Sequence, residues 1–192
     1  KTDTRTIPRA PSDEGLTLRP AFLHANVPGV LLQNTKRVHM NVKRVWAVFF
    51  SPTGTTRKVV TRIADVIADE LATGCGTIDF TLPGARKAVQ RFSADDLVIL
   101  GTPVYAGRVP NILLKFLGSI EGHGAAAVPV VLFGNRAYDD ALIELRDILE
   151  EDGFHTIAAA AFVGEHAFSY TLAKGRPDEK DLAIADDFAR AA

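Results

Sequence analysis

The chain has 192 residues, enough for one domain with a full core and a peripheral segment, and 47% of them are apolar, as in an ordinary globular domain. A net charge of −1 argues against a nucleic-acid footprint, and no apolar run approaches the length of a membrane span. The single cysteine, Cys75, excludes an internal disulfide and any cysteine-ligated cluster or structural zinc site built by one subunit.

Lys1 to His39 carries four prolines, no sustained periodicity, and six Lys/Arg against three Asp/Glu. The apolar patch from Ala21 to Leu32 is broken by Pro28-Gly29 and lacks the pattern of a secretory signal. Met40, the only methionine, stands just before the first strand. Residues 1–39 are therefore expected to be a leader or extension outside the domain: a tag, an upstream read-through or a clinging arm. Residues 40–192 form the domain, which is mildly acidic and expected in the cytoplasm.

Val45 to Phe50 is a continuous apolar run of strand length, rich in β-branched and aromatic residues. It reads as a strand buried on both faces. Ser51-Pro52-Thr53-Gly54-Thr55-Thr56 follows at once, and then a helix runs to about Thr73. Its expected inward residues are Val59, Val60, Ile63, Val66, Ile67 and Leu71, and Gly74 and Gly76 are expected to end it. A strand that turns through four hydroxyls into a helix N-terminus is a ready anion site. A nucleoside-triphosphate loop would need a lysine, and a dinucleotide fingerprint would need three glycines. A monophosphate ester held by neutral donors fits better, although Ser and Thr are also the ordinary helix caps.

Thr77 to Phe80 is predicted to be a short strand, with Cys75 a small buried thiol at its entry. Asp95 to Gly101 is a third strand, apolar and so central. The loop Gly101-Thr102-Pro103-Val104-Tyr105-Ala106-Gly107-Arg108-Val109-Pro110 leads into a helix with Leu113, Leu114, Phe116, Leu117 and Ile120 inward. Val128 to Phe133 is the fourth strand, followed by Gly134-Asn135-Arg136-Ala137-Tyr138-Asp139-Asp140. The next helix buries Leu142, Leu145, Ile148 and Leu149, the fifth strand is His155 to Val163, and a last helix spans Pro177 to Ala192. Five alternations of strand and helix imply an α/β fold, a doubly wound five-stranded parallel sheet with helices on both faces.

FSPTGTTRK, GTPVYAGRVP and GNRAYDD, in this order and spacing, resemble the three ligand loops of the flavodoxin family. More narrowly they resemble the flavodoxin-like half of anaerobe proteins in which that domain is fused to a ferredoxin, a part this sequence does not contain. The resemblance implies strand order 2-1-3-4-5, with FMN in the crevice beyond strands 1 and 3. It implies that Ser51, Thr53, Gly54, Thr55 and Thr56 hold the phosphate, and that backbone groups of Thr102, Pro103, Val104, Ala106 and Gly107 frame the reactive edge of the ring. Gly107, or the Ala106–Gly107 peptide, is where the family turns a carbonyl toward flavin N5. Gly134 and Asn135 would meet the pyrimidine edge, Tyr138 would stack on the outer face and Tyr105 would cover the inner one.

Arg108 and Arg136 depart from the acidic surroundings usual in short-chain flavodoxins. Near N1 or O2 a guanidinium would stabilise reduced flavin, but either could equally face solvent or receive a substrate anion. His166, after strand 5, is either a proton donor or a capping residue, and the other histidines have no metal-binding spacing. No catalytic or metal-ligating residue is assigned. The leading expectation is an FMN-binding electron carrier that works with a ferredoxin or another redox protein. The alternative is an FMN-dependent reductase passing electrons from NAD(P)H to a quinone or small acceptor, and the third reading is a scaffold that keeps the fold without the flavin.

Overall fold

The computed structural model describes residues 30–31, 41–169 and 171–192. In chain order the elements are β1 (Val30–Leu31), β2 (Arg44–Phe49), α1 (Thr55–Glu70), β3 (Gly74–Asp79), β4 (Asp96–Pro103), α2 (Leu114–Leu117), β5 (Ala126–Phe133), α3 (Ala141–Glu151), β6 (His155–Thr156), β7 (Ala159–Val163) and α4 (Glu179–Ala191). The sheet runs β1-β7-β5-β4-β2-β3, with β6 also paired to β5. All pairs are parallel except β1 with β7. Counting β6 and β7 as the predicted fifth strand, the parallel strands follow the expected order 2-1-3-4-5. The backbone leaves the ladder at Ile157–Ala158, which splits that strand in two. Val30–Leu31 adds an antiparallel edge from the segment expected to lie outside the domain, and the rest of that segment lies outside the described residues.

Alternation along the strands sorts the core into two layers. Val98 and Leu100 of β4, with Val131 and Phe133 of β5, pack with Leu113, Phe116, Leu145 and Leu149 on one face. Leu97 and Ile99, with Val128 and Val130, pack with Val59, Val60, Ile63, Ala185 and Phe188 on the other. So α1 and α4 cover one side and α2 and α3 the other, leaving both strand edges of the central β4 and β5 paired. Each full burial of a Val, Leu or Ile contributes roughly 1.5–3 kcal/mol.

Four local expectations are corrected. Helix α1 ends at Glu70, where Ala72 enters a left-handed turn (φ 50°), so Leu71 is exposed rather than inward. Gly74 and Gly76 consequently open strand β3 instead of closing the helix. Cys75 lies in that edge strand and is exposed, though desolvation still pushes its thiol pKa up. The predicted helix after Pro110 is a 3-10 turn (Asn111–Leu113) running into the four residues of α2, and Leu114 faces solvent. Gly118 stops it there: its amide bonds Leu114 O at 3.0 Å, and Ser119 Oγ donates back to Phe116 O at 2.6 Å.

At the sheet edge remote from the predicted ligand loops, Asp152 closes α3. Its Oδ2 is buried without a hydrogen-bond partner, and desolvation, with Glu151 beside it, pushes its pKa up to about 6 from 3.8. A carboxyl pKa raised by folding favours the protonated form, so its destabilisation is complete above pH 6 and fades as pH falls toward 3.8. Asp152→Asn is therefore expected to raise Tm at pH 7.5 and to give no gain at pH 3.5. Because the group is half-buried, solvent screening cuts the gain to about 1 kcal/mol, or roughly 2–4 °C. Thermal unfolding at the two pH values measures it, and an equal gain at both would refute the charge as its origin.

Candidate functional site

The carboxyl ends of β2, β4 and β5 lie side by side because of the strand order, and each is followed by one of the three marked loops. This is the position at which an open α/β sheet changes winding direction and leaves a crevice.

The first loop hands β2 to α1. Gly54 occupies the cap position with φ 83°, a left-handed conformation that places no side chain over the helix end. Four hydroxyls thus stand around an end that none of them caps in the ordinary way. Ser51 Oγ reaches past the cap and accepts the Arg57 N–H at 2.9 Å, while the Ser51 N–H donates to Thr81 Oγ1 at 2.9 Å. Thr53 Oγ1 and Thr55 Oγ1 share one hydrogen bond at 3.2 Å, which leaves one of their two protons to donate elsewhere. Thr56 is 1% exposed, and its Oγ1 has no partner among the described residues. The N–H groups of Thr55 and Thr56 open the helix and have no intrahelical acceptor.

Helix α1 reaches this position by lying directly against β4. A Cβ on Gly101 would stand 2.3 Å from Val60 Cγ2 and 3.0 Å from the Thr56 methyl, so any side chain there would push the helix off the sheet. The Thr56 methyl faces the sheet. Its hydroxyl is left inside a polar corner with nothing to bind.

The second loop is a tight hairpin. Tyr105 and Arg108 exchange N–H···O bonds of 2.9 and 3.1 Å, with Ala106 (φ 50°) and Gly107 (φ 78°) at the tip. Two successive left-handed residues make the primed turn that suits a two-residue hairpin. Gly107 is covered by Asp139: a Cβ there would stand 2.4 Å from Asp139 Oδ2. The Val104 N–H is spent on Leu132 O at 2.8 Å, which removes it from the donors expected to face a ring. Thr102 is wholly buried, and its Oγ1 has no partner among the described residues. Pro103 ends β4 half-buried.

The third loop faces the second across two adjoining clefts. One, of about 350 Å³, is lined by Val104, Ala106, Gly107, Phe133, Gly134, Arg136, Ala137, Asp139 and His166. The other, of about 400 Å³, shares Phe133, Arg136, Ala137 and Asp139 with it and adds Asn135, Tyr138 and Val163. Both lie over the end of β5, and each is of a size to admit part or all of a flat ring system. Tyr138 is fixed by an edge-on contact to Phe133 (ring centroids 5.3 Å, 60°). Tyr105 is 46% exposed on the hairpin and lines neither cleft. The two tyrosines expected on opposite faces of one ring are thus placed differently, one bordering the depression and one outside it.

The two arginines separate as well. Arg108 forms a two-point ion pair with Glu144 of α3 (2.9 and 2.7 Å), and that carboxylate also accepts the Val109 N–H at 2.8 Å. Arg108 in turn holds the Glu144 carboxyl below its ordinary pKa. Its charge is drawn to the outer side of the hairpin. Arg136 has no ion-pair partner among the described residues and lines both clefts. A third cleft, of about 580 Å³, lies beside Thr53–Thr55 and is bordered by Arg57, Lys58, Glu165 and Arg176. The sequence reading missed Asp139 and Glu144. Their acidic side chains, four and nine residues beyond Asn135, were the available signal.

Residues 47–135 match the family model of the flavodoxin domain. The fold is flavodoxin-like. Solved structures agree on the fold, and no curated protein sequence matches the chain. Flavodoxin 1 from Bacillus cereus is 19% identical over 77% of this chain and 95% of its own, with a TM-score of 0.56. An NADH:FMN oxidoreductase is 18% identical over 78% and 88%, also with a TM-score of 0.56. The rubredoxin oxygen:oxidoreductase of the anaerobe Desulfovibrio gigas is 17% identical over 78% of this chain and 35% of its own, with a TM-score of 0.54.

The flavodoxin family implies a flavin cofactor, and the residues present fit one. At the first loop a buried hydroxyl and two helix-end amides are unmatched among the described residues, and the second and third loops border ring-sized clefts. Thr56→Val keeps shape and removes the hydroxyl. It is expected to leave Tm unchanged or higher, since an unpartnered buried hydroxyl costs about 1–3 kcal/mol, and to weaken binding of a phosphorylated flavin about tenfold or more. Calorimetric titration against the phosphorylated and the phosphate-free flavin measures both effects. An equal loss for the two ligands would remove Thr56 from the phosphate site.

Proposed function

We propose that the chain is an FMN-binding electron-transfer protein that exchanges electrons with a ferredoxin or another redox protein, in the cytoplasm. The observation that carries this reading is the corner at Ser51–Thr56, where the Thr56 hydroxyl has no partner among the described residues and the Thr55 and Thr56 amides have no intrahelical acceptor. Neutral hydroxyls and amides at a helix N-terminus suit the two negative charges of a phosphate monoester. Lysines and arginines stand outside the loop itself.

FMN, when bound, would supply the electron-accepting ring. The chain's part is to hold, orient and shield it. Thr55 and Thr56 amides and the Ser51, Thr53, Thr55 and Thr56 hydroxyls would anchor the phosphate. Gly134 and Asn135 would present backbone groups to the polar edge, and the Ala106–Gly107 turn would face the redox edge. Tyr138, braced by Phe133, would cover one face.

A second reading is favoured by one comparison and one set of residues. The fold is also that of an NADH:FMN oxidoreductase, and Arg136 and His166 line the depression on the side a small acceptor could enter. It is a reductase that takes hydride from NAD(P)H and reduces a quinone or similar acceptor.

Reconstitution with excess FMN tests the common core of both readings. A stoichiometric complex with a shifted flavin absorbance band supports it, and no uptake refutes it. Steady NAD(P)H oxidation by the purified complex, without an added reductase, would then select the second reading over the first. Tyr138→Ala is expected to weaken FMN binding about tenfold, in line with ~1–3 kcal/mol for a stacked aromatic. Far-ultraviolet circular dichroism should stay native, and unchanged affinity would remove Tyr138 from the site.

A further inference from the structure

Among the side chains around the depression, His166 combines a fixed orientation with an unused donor. It follows β7 and lies half-buried over Gly134, where a Cβ would stand 2.6 Å from His166 Cδ2 and 2.9 Å from its Cγ. The imidazole therefore takes the space that any other residue at position 134 would fill. Its second constraint is a hydrogen bond: the Phe168 N–H donates to His166 Nδ1 at 3.1 Å. A backbone N–H can only donate, so Nδ1 carries no proton in the neutral ring, and the proton sits on Nε2. Nε2–H has no acceptor among the described residues, and His166 lines the 350 Å³ cleft with Val104, Gly107 and Gly134. The His166–Gly175 loop is tied down as well, since the Gly175 N–H donates to Glu165 at 2.9 Å and the Leu172 N–H to Ser169 Oγ at 3.0 Å.

We propose that His166 is the residue that sets the flavin's preference for the reduced state, by donating an Nε2–H hydrogen bond to an acceptor atom on the ring edge that enters this cleft. The proposal rests on the flavin reading above and adds a side chain outside the three marked loops. Reduction places negative charge on the ring's nitrogen and carbonyl oxygen atoms, and a fixed N–H donor binds that charged state more strongly than the neutral one. The donor is present in the neutral imidazole, so its action does not require protonation. Arg136 and Asp139, of opposite sign, line the same cleft. The Phe168 amide and Gly134 fix the orientation of the imidazole, so its donor is held in place before any ligand arrives.

Three variants test this in the full chain: His166→Phe, which keeps a ring against Gly134 without a donor, His166→Ala, and His166→Gln, which restores an N–H donor at the corresponding reach. Dissociation constants for oxidised and for chemically reduced FMN are measured anaerobically for each. The ratio of the oxidised to the reduced constant is expected to fall about tenfold in the Phe and Ala variants, the size of one hydrogen bond to a charged acceptor. It is expected to return to within about twofold of wild type in the Gln variant. A purely structural role would weaken both constants together and leave the ratio alone. An unchanged ratio in the Phe and Ala variants, with FMN still bound, overturns the proposal while sparing the flavin reading. So does a Gln variant that behaves like Ala. Failure of the wild-type chain to bind FMN overturns both.

Discussion

The close approach of α1 to β4 at Gly101 is the constraint on which the site depends. A helix normally stands about 10 Å from the sheet it covers, with side chains of both filling the gap. At Gly101 the β4 side contributes none, and Val60 and the Thr56 methyl occupy the space directly over the strand. The first turn of α1 is thereby drawn into the crevice between β2 and β4. The Thr56 hydroxyl ends inside the protein rather than in solvent. Packing thus creates the polarity of the corner: the residue that closes the layer also strands the donors.

Charge is managed by the same economy of position. Two arginines flank the ring-sized depression in sequence, but α3 offers Glu144 to one of them, and the two-point pair with support from the Val109 amide fixes Arg108 on the far side of the hairpin. An exposed pair of this kind contributes little to stability. Its consequence is geometric, because it pins the hairpin whose tip faces the depression. Asp139 meets that tip from the other side, over Gly107, where no larger residue could stand. The hairpin tip is held between a carboxylate that pulls on its arginine and one that fills the space above its glycine. Beside Asp139, the depression is lined by Arg136, without an ion-pair partner among the described residues, and by His166.

The sheet and its order were legible because their signal is redundant. Val45–Phe50, Asp95–Gly101 and Val128–Phe133 are apolar on both faces, which only strands covered from both sides tolerate, and turn residues bound each run. The hydroxyl-rich corner stood out for a related reason, since four hydroxyls between a buried strand and a helix exceed what capping needs. Helix ends were less legible. Gly74 looked like the stop of α1, but Ala72 adopted the left-handed turn first, a choice set by β3 pairing along β2 rather than by local preference. Leu114 looked inward because the helix around it was read at a 3.6-residue period, whereas the 3-10 turn before it shifts the phase and faces it outward. The ion pair Arg108–Glu144 and the contact of His166 with Gly134 join residues 36 and 32 positions apart, and no periodicity encodes such meetings.

Among the described residues, three of the unmet polar groups, on Asp152, Thr56 and Thr102, fall at opposite ends of the sheet and differ in kind. Asp152, remote from the marked loops, is a partly desolvated carboxyl whose discomfort is relieved by a proton. Thr56 and Thr102 stand at the carboxyl ends of β2 and β4, as hydroxyls whose discomfort no change of pH relieves. A buried hydroxyl without a partner costs about 1–3 kcal/mol. Two of them amount to a substantial share of the stability of a domain this size, and one, on Thr56, stands at a helix end with free amides. An acceptor-rich ligand that reached such a hydroxyl would remove that cost, and part of its affinity would come from strain already in the fold. By the same linkage, a ligand that binds only the folded chain raises the stability of the whole sheet. A corner with unmatched donors is thus also a part of the fold that an acceptor-rich ligand would stabilise.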